Sequence, residues 1–288
     1  MDHSNWIHVG ALADGFLADS HILPPADRLA GRTLNVYGED GSIVEYRFES
    51  ATRLHWGILA PDAPDAPDAK ASETYRATSL REGIVFIDFV KSGERAGSVS
   101  MVIDLGRAVV TTITGTLPTR EAIAECAFDR ATSGRELTSV KASVVRGTLG
   151  NSFDQGAQLH QRTTELVGMR NEYIYSATER YEHIYLNEHY YSWQCLDGVE
   201  QGLGDTDRCD YLKIADALYL FIWREKIVPT LGVVMIDLEK HKTDGKIFGY
   251  AGQDIGQTSN FAVGAHAHVL NQTRHAPLSQ RTARLGVA

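Results

Sequence analysis

Tyr173 to Trp193 reads YIYSATERYEHIYLNEHYYSW, and Leu218 to Glu225 reads LYLFIWRE. These two stretches decide the fold. Strand side chains alternate faces with a period of two. Tyr173 and Tyr175 therefore share a face, and so do Tyr181, His183 and Tyr185. In the second stretch Tyr219, Phe221, Trp223 and Glu225 take one face, and Leu218, Leu220, Ile222 and Arg224 the other. One carboxylate thus ends a row of aromatic rings. Such a group is either a solvated strand end or an acid held for chemistry.

Outward from these stretches, most of the chain carries strand signals. Thr33 to Trp56 holds TLNVY, SIVEYRF and TRLHW, with a hairpin turn at Asp40-Gly41. GIVFIDFV (83–90), SVSMVIDL (98–105) and AVVTTITGTL (108–117) come next, then a helix over Thr119–Ala127 and a further strand over Thr138–Val145. Residues 1–30 are mixed and end at Pro24-Pro25, with Trp6, Ile7 and Val9 packing on the strands that come after them. Ala60–Ala69, APDAPDAPDA, is proline-rich and acidic and reads as an extended exposed loop.

The second half echoes the first. Tyr46 and Tyr181 stand 135 residues apart, Trp56 and Trp193 137, and the two Ile-Asp-Leu triplets at 103–105 and 236–238 stand 133 apart. Near-constant offsets predict two copies of one all-β unit. Antiparallel units of this size close into barrels or stack as sandwiches. The boundaries are 1–148 for the first unit, 149–162 for a polar linker, 163–272 for the second unit and 273–288 for a tail.

The composition narrows the function classes. Net charge is −9, from 28 basic and 37 acidic residues, which argues against nucleic acid as a partner. No apolar run reaches the ~18 residues of a membrane span. The start, MDHSNWIHVGALADGF, has no basic segment followed by an apolar one. Three cysteines without CxxC spacing predict a reduced, cytoplasmic protein with no disulfide frame. The sequence sets no oligomeric state and is compatible with a homo-oligomer.

The run YEHIYLN…YYSW…CLDG…GLGDTDRC…LYLFIWREKIVPTLGVVMIDL…GKIFGY resembles the C-terminal half of the molybdenum cofactor biosynthesis protein F (MoaF) family. Thr33–Trp56 resembles that family's N-terminal half, and the likeness covers roughly residues 5–272. It implies two tandem calycin (lipocalin-like) antiparallel barrels with few short helices, and no established reaction. The second half is also similar to the phenolic acid decarboxylases, which are single calycin barrels. There a Tyr-x-Tyr after a glycine helps hold the substrate, and Gly168 with Tyr173-Ile174-Tyr175 matches it. A Tyr-Glu pair comes next, as Tyr181-Glu182 does, and the catalytic glutamate stands two residues after a tryptophan, as Glu225 does after Trp223. That family also needs an arginine near the substrate carboxylate. Asp205 aligns there and would repel such a group, unless Arg170 or Arg208 substitutes. The departure points away from plain decarboxylation of a cinnamate.

The candidate site is therefore Glu225 with Tyr173 and Tyr175 as catalytic residues, and Tyr181, His183, Tyr185, Trp223 and Asp205 as substrate contacts. Burial would raise the Glu225 pKa toward neutrality, which suits proton transfer. Against each stands a plainer reading: tyrosines fill barrels, an interior histidine is usually hydrogen-bonded, and Asp205 lies in a turn-rich loop. His266-x-His268 offers two metal-type ligands on one strand face, to which Glu225 or Asp237 would have to add a carboxylate; no other histidine stands at a supporting spacing, and no metal is assigned. Cys195 and Cys209 read as structural. No phosphate loop or nucleophile elbow occurs. The expected activity is cofactor-free lyase, isomerase or hydratase chemistry on a small aromatic or heterocyclic molecule. The alternative is a binding protein that returns its ligand unchanged, associated through the family name with molybdenum cofactor biosynthesis.

Overall fold

The computed structural model describes residues 6–17, 20–59, 71–93 and 96–275. The acidic Ala60–Ala69 loop and most of the 273–288 tail lie outside the described residues. A short helix, α1 (Val9–Leu17), precedes the first barrel. That barrel comprises β1 (Thr33–Gly38), β2 (Ile43–Phe48), β3 (Arg53–Ile58), β4 (Ala71–Arg81), β5 (Ile84–Val90), β6 (Gly97–Asp104) and β7 (Val109–Thr116). Helices α2 (Arg120–Ala124) and α3 (Ala127–Thr132) then lead to β8 (Lys141–Leu149), which pairs back onto β1 and closes the ring.

A two-residue strand, β9 (Gln161–Arg162), opens the second half. The second barrel then runs through β10 (Met169–Ile174), β11 (Arg180–Tyr185), β12 (Tyr190–Asp197), β13 (Gly204–Ala215), β14 (Leu218–Arg224), β15 (Thr230–Asp237) and β16 (Lys242–Tyr250). β17 (Thr258–Val263) lines β16, and after a break at Gly264-Ala265 the chain continues as β18 (His266–Gln272), which pairs with β10 and closes this ring. All pairings are antiparallel, so the fold is all-β with two closed eight-stranded barrels. No helix among the described residues is long and apolar enough to cross a membrane.

The repeat is visible strand by strand. Tyr46 and Tyr181 lie on the second strand of their barrels, Trp56 and Trp193 on the third, and the Ile-Asp pairs on the sixth. Each aspartate then organises the same hairpin. Asp104 Oδ1 accepts from Arg107 N at 2.9 Å, and Asp237 Oδ1 from Lys240 N at 2.9 Å. Ala108 and His241 come next in the left-handed region, at φ 52° and 53°. Leu105 N and Leu238 N each reach back 2.9 Å to a carbonyl in the preceding hairpin, at Gly83 and Ala217.

The two barrels share a third core. Leu218, Leu220 and Ile222 of β14, with Leu231, Val233 and Met235 of β15, press on Leu80, Ile84, Phe86, Val102 and Ile113 of the first barrel. This explains why LYLFIW is apolar throughout: one face lines its own barrel and the other meets its neighbour, so every residue is buried. Ionic contacts frame this core. Arg81 grips Asp237 through Nε–Oδ2 at 2.6 Å and Nη2–Oδ1 at 2.8 Å. Buried Lys246 donates to Ser98 at 2.8 Å and lies 3.2 Å from Asp88.

The beginning of the chain differs from the sequence expectation. Val9, Leu12, Ala13 and Phe16, at helical spacing, are buried in the core of the second barrel rather than the first. Gly10 and Gly15 permit the close fit. A Cβ on Gly10 would overlap the Ala251 carbonyl, and one on Gly15 would crowd Val199 and Glu179. The helix expected over 119–127 is also shorter: Thr119 caps α2, which ends by Glu125, and α3 begins anew behind Cys126.

Candidate functional site

Inward-facing positions of five adjacent strands meet inside the second barrel. β10 contributes Tyr173, β11 Tyr181, His183 and Tyr185, β12 Tyr191 and Trp193, β13 Cys209 and Tyr211, and β14 Tyr219, Phe221 and Trp223. Phe221 is central, stacked on Tyr211 at 5.6 Å and Trp223 at 5.1 Å, with Tyr191 edge-on at 4.8 Å. The deeper layer is closed by its own hydrogen bonds. Tyr173 and Tyr185 share a hydroxyl–hydroxyl bond of 2.5 Å, and Asn171 Nδ2 donates to Tyr173 at 3.1 Å.

Nearer the mouth lies a cavity of about 30 Å³, room for roughly two waters. Its aromatic wall is Tyr175, Tyr181, Tyr191, Trp193 and Trp223, and Leu12 and Phe16 of α1 form its cover. Two carboxylates and one imidazole also line it: Glu225, Glu200 and His183.

Each acid is held by one aromatic donor. Trp223 Nε1 donates to Glu225 Oε1 at 2.9 Å, and Tyr181 OH to Glu200 Oε2 at 3.1 Å. Beside them, Trp193 Nε1 donates to buried Asp207 at 3.0 Å. Burial pushes Glu200 up to about 7. It also raises Glu225 well above the carboxylate range, aided by the Asp207 and Glu200 charges. Asp207 is raised by burial too, against the pull of Lys226. Glu225 keeps some accessible surface as a residue, yet its carboxyl is surrounded by protein. Burial drives His183 down to about 3, so its ring is neutral, and its Nδ1 has no partner among the described residues. The cavity thus offers carboxyls biased toward their protonated form, a neutral imidazole and phenols in an aromatic setting.

The sequence-predicted residues separate into groups. Glu225, Tyr175, Tyr181, His183 and Trp223 meet at this cavity. Tyr173 and Tyr185 stand a layer deeper, bonded to each other and outside the lining. Asp205 is also outside the lining and is ion-paired with Lys226. The cavity also takes in Glu200, Leu12 and Phe16, which are not among the sequence candidates. Tyr191 and Trp193 were legible, since they alternate inward in YYSW and Trp193 pairs with His183. Glu200 belongs to the turn before β13, where no periodicity marks a facing. His266 and His268 are exposed on β18, and the His266 ring lies 4.2 Å from that of His21. The Cys195 and Cys209 thiols are pushed up by burial to about 11 and about 12, which suppresses thiolate chemistry.

Gly232, opposite Trp223, makes room for the indole: a Cβ there would overlap the ring. Gly232→Ala should therefore displace Trp223 and free Glu225. The expected result is a changed near-ultraviolet tryptophan signal and a loss of about 1–3 kcal/mol. An unaltered spectrum would show that the indole does not depend on that space.

In comparison with known protein families, residues 4–119 match the model of the MoaF N-terminal domain, and residues 160–273 that of the MoaF C-terminal domain. The chain is 45% identical over 271 residues to Protein MoaF of Klebsiella aerogenes, covering 94% of this chain and 97% of that one. A solved Burkholderia vietnamiensis chain described as a candidate beta-lactamase aligns with 38% of this chain and all of its own, at 14% identity and a TM-score of 0.32. At that score the likeness supports nothing further.

Proposed function

Because this chain belongs to the MoaF family, whose domain models and curated relative span nearly all of it, we propose that its second barrel takes a small aromatic or heterocyclic molecule and performs cofactor-free acid/base chemistry on it. One observation carries this reading: Glu225 and Glu200, both raised by burial, share one aromatic-walled cavity with a neutral, unpartnered His183 nitrogen. A protonated Glu225, steadied by the Trp223 N–H, can give its proton to a conjugated ligand and take one back. Tyr175 and His183 would fix the ligand's polar end. The likeness of Tyr173-x-Tyr175 and Trp223-x-Glu225 to the phenolic acid decarboxylase pattern supports a lyase, isomerase or hydratase type of reaction. Tyr173 would then act through the wall it holds with Tyr185 rather than by touching the ligand.

The test uses 4-vinylphenol and 4-hydroxycinnamate, followed by their ultraviolet absorbance and by tryptophan fluorescence. Glu225→Gln should bind the consumed phenol within about threefold of wild type while losing at least a hundredfold in turnover, the share general acid/base groups commonly supply. Turnover unchanged in that variant would remove Glu225 from the chemistry. The aromatic-walled cavity also suits a second reading, a carrier associated with molybdenum cofactor biosynthesis. A carrier would gain thermal stability by about RT ln(1 + [L]/Kd) and return its ligand unaltered. The free cysteines support the cytoplasm as the setting for either activity.

A further inference from the structure

We propose that helix α1 is a built-in occupant of the second barrel, with the Phe16 ring in the seat of an aryl ligand, so that ligand and helix compete for the mouth. This rests on the reading of that barrel as a ligand site. Phe16 is only 3% exposed, and its ring lies 4.7 Å from Tyr175, 5.6 Å from Tyr181 and 5.8 Å from Phe261. Phe16 is thus held as an aromatic guest would be, by rings of the barrel wall. Yet it comes from outside the barrel and has no polar atom on its side chain to offer Glu200, Glu225 or His183.

Space makes the same point. A benzene-sized guest needs roughly 150 Å³, and about 30 Å³ remains beneath Phe16 and Leu12. No aryl ligand fits while both side chains are in place. The unpartnered His183 Nδ1 shows what the present occupant lacks. An aryl group carrying a hydroxyl or ring nitrogen would fill the volume of Phe16 and reach that atom as well.

The helix is suited to leaving. Its nine residues are too few for a stable isolated helix in water, so its order comes from docking. It belongs to neither ring of strands, and its departure breaks no sheet ladder. Its opening costs the burial of Val9, Leu12, Ala13 and Phe16, part of which an aryl guest replaces. The close approaches at Gly10 and Gly15 still define one docked pose, which makes the competition specific.

Two variants of the full chain test this, with 4-vinylphenol and toluene as probes and binding read by tryptophan fluorescence and calorimetry. Phe16→Ala should bind 4-vinylphenol at least tenfold more tightly than wild type and prefer it to toluene. Equal uptake of both would reveal only an apolar hole and overturn the proposal. Gly15→Cys with Val199→Cys pins the helix, since a Gly15 Cβ would stand 2.8 Å and 3.1 Å from the two Val199 methyl carbons, where the partner sulfur would sit. Oxidised, this protein should lose 4-vinylphenol binding at least tenfold and regain it on reduction. Equal binding in both redox states would overturn the competing helix while leaving the ligand site intact. Failure of wild type and every variant to bind either probe would overturn the site itself.

Discussion

Phe221→Ala is expected to lower the unfolding free energy by about 3–5 kcal/mol, the range for losing a fully buried phenyl ring. Phe221 is 1% exposed and lies at the middle of the ring cluster. Its strand is paired on both sides, Phe221 to Tyr211 and to Val234. Those ladders resist collapse into the vacated space, so most of the cavity should persist. Its stacking partners Tyr211 and Trp223 and its edge-on neighbours Tyr185 and Tyr191 would lose contact together. Urea unfolding followed by tryptophan fluorescence and far-ultraviolet dichroism gives the value. A loss below about 1 kcal/mol would mean that the cup closes readily, against a rigid aromatic wall.

Glu200→Gln is expected to act in the opposite direction above neutrality. Below about pH 4.5 Glu200 is protonated in the folded and unfolded chain alike and contributes no pH dependence. From there to about 7 the unfolded chain releases the proton while the fold retains it. Stability therefore falls as pH rises through this window, by about 1.4 kcal/mol per unit and about 3 kcal/mol in all. Above 7 this contribution is constant. Glu225, Glu179 and Asp207 are raised by burial and act with the same sign. Asp244, buried at the seam between the barrels and raised to about 6, does likewise. Glutamine at 200 should leave stability at pH 4 little changed and add up to about 3 kcal/mol at pH 8. Denaturation curves at pH 4, 6 and 8 decide it. Parallel pH profiles for wild type and variant would place the Glu200 carboxyl in water rather than in the wall.

Much of this arrangement was legible in two short stretches. Alternation in LYLFIWRE put Tyr219, Phe221, Trp223 and Glu225 on the inner face, and the structure places the three rings in the inner core and Glu225 on the cavity at its mouth. The same rule could not say what met the outer face, because contact with another barrel leaves no period of its own. β4 escaped notice since ASETYRATSLR mixes polar and apolar residues: it carries Glu73 and Thr78 as buried groups in the clefts beside the barrel seam. Tyr173 shares a face with Tyr175 as expected, but depth along a barrel axis is not encoded in parity. The Tyr173 hydroxyl is already engaged, by Asn171 and by the Tyr185 hydroxyl 12 residues away in sequence. In VGALADGFL the apolar spacing of α1 was present, yet nothing local pointed to a seat more than 150 residues downstream.

That long-range seat has a consequence for biosynthesis. Val9 and Phe16 leave the ribosome more than two hundred residues before Gly249 and Phe261, the groups they finally touch. At about 5–20 residues per second, an apolar segment waits on the order of ten to fifty seconds for its berth to be made. The first barrel can close its strands in the meantime without it. A nascent chain halted after β8 would therefore carry a folded barrel and a stranded greasy leader, the part most open to chaperones or to neighbouring chains on the same polysome.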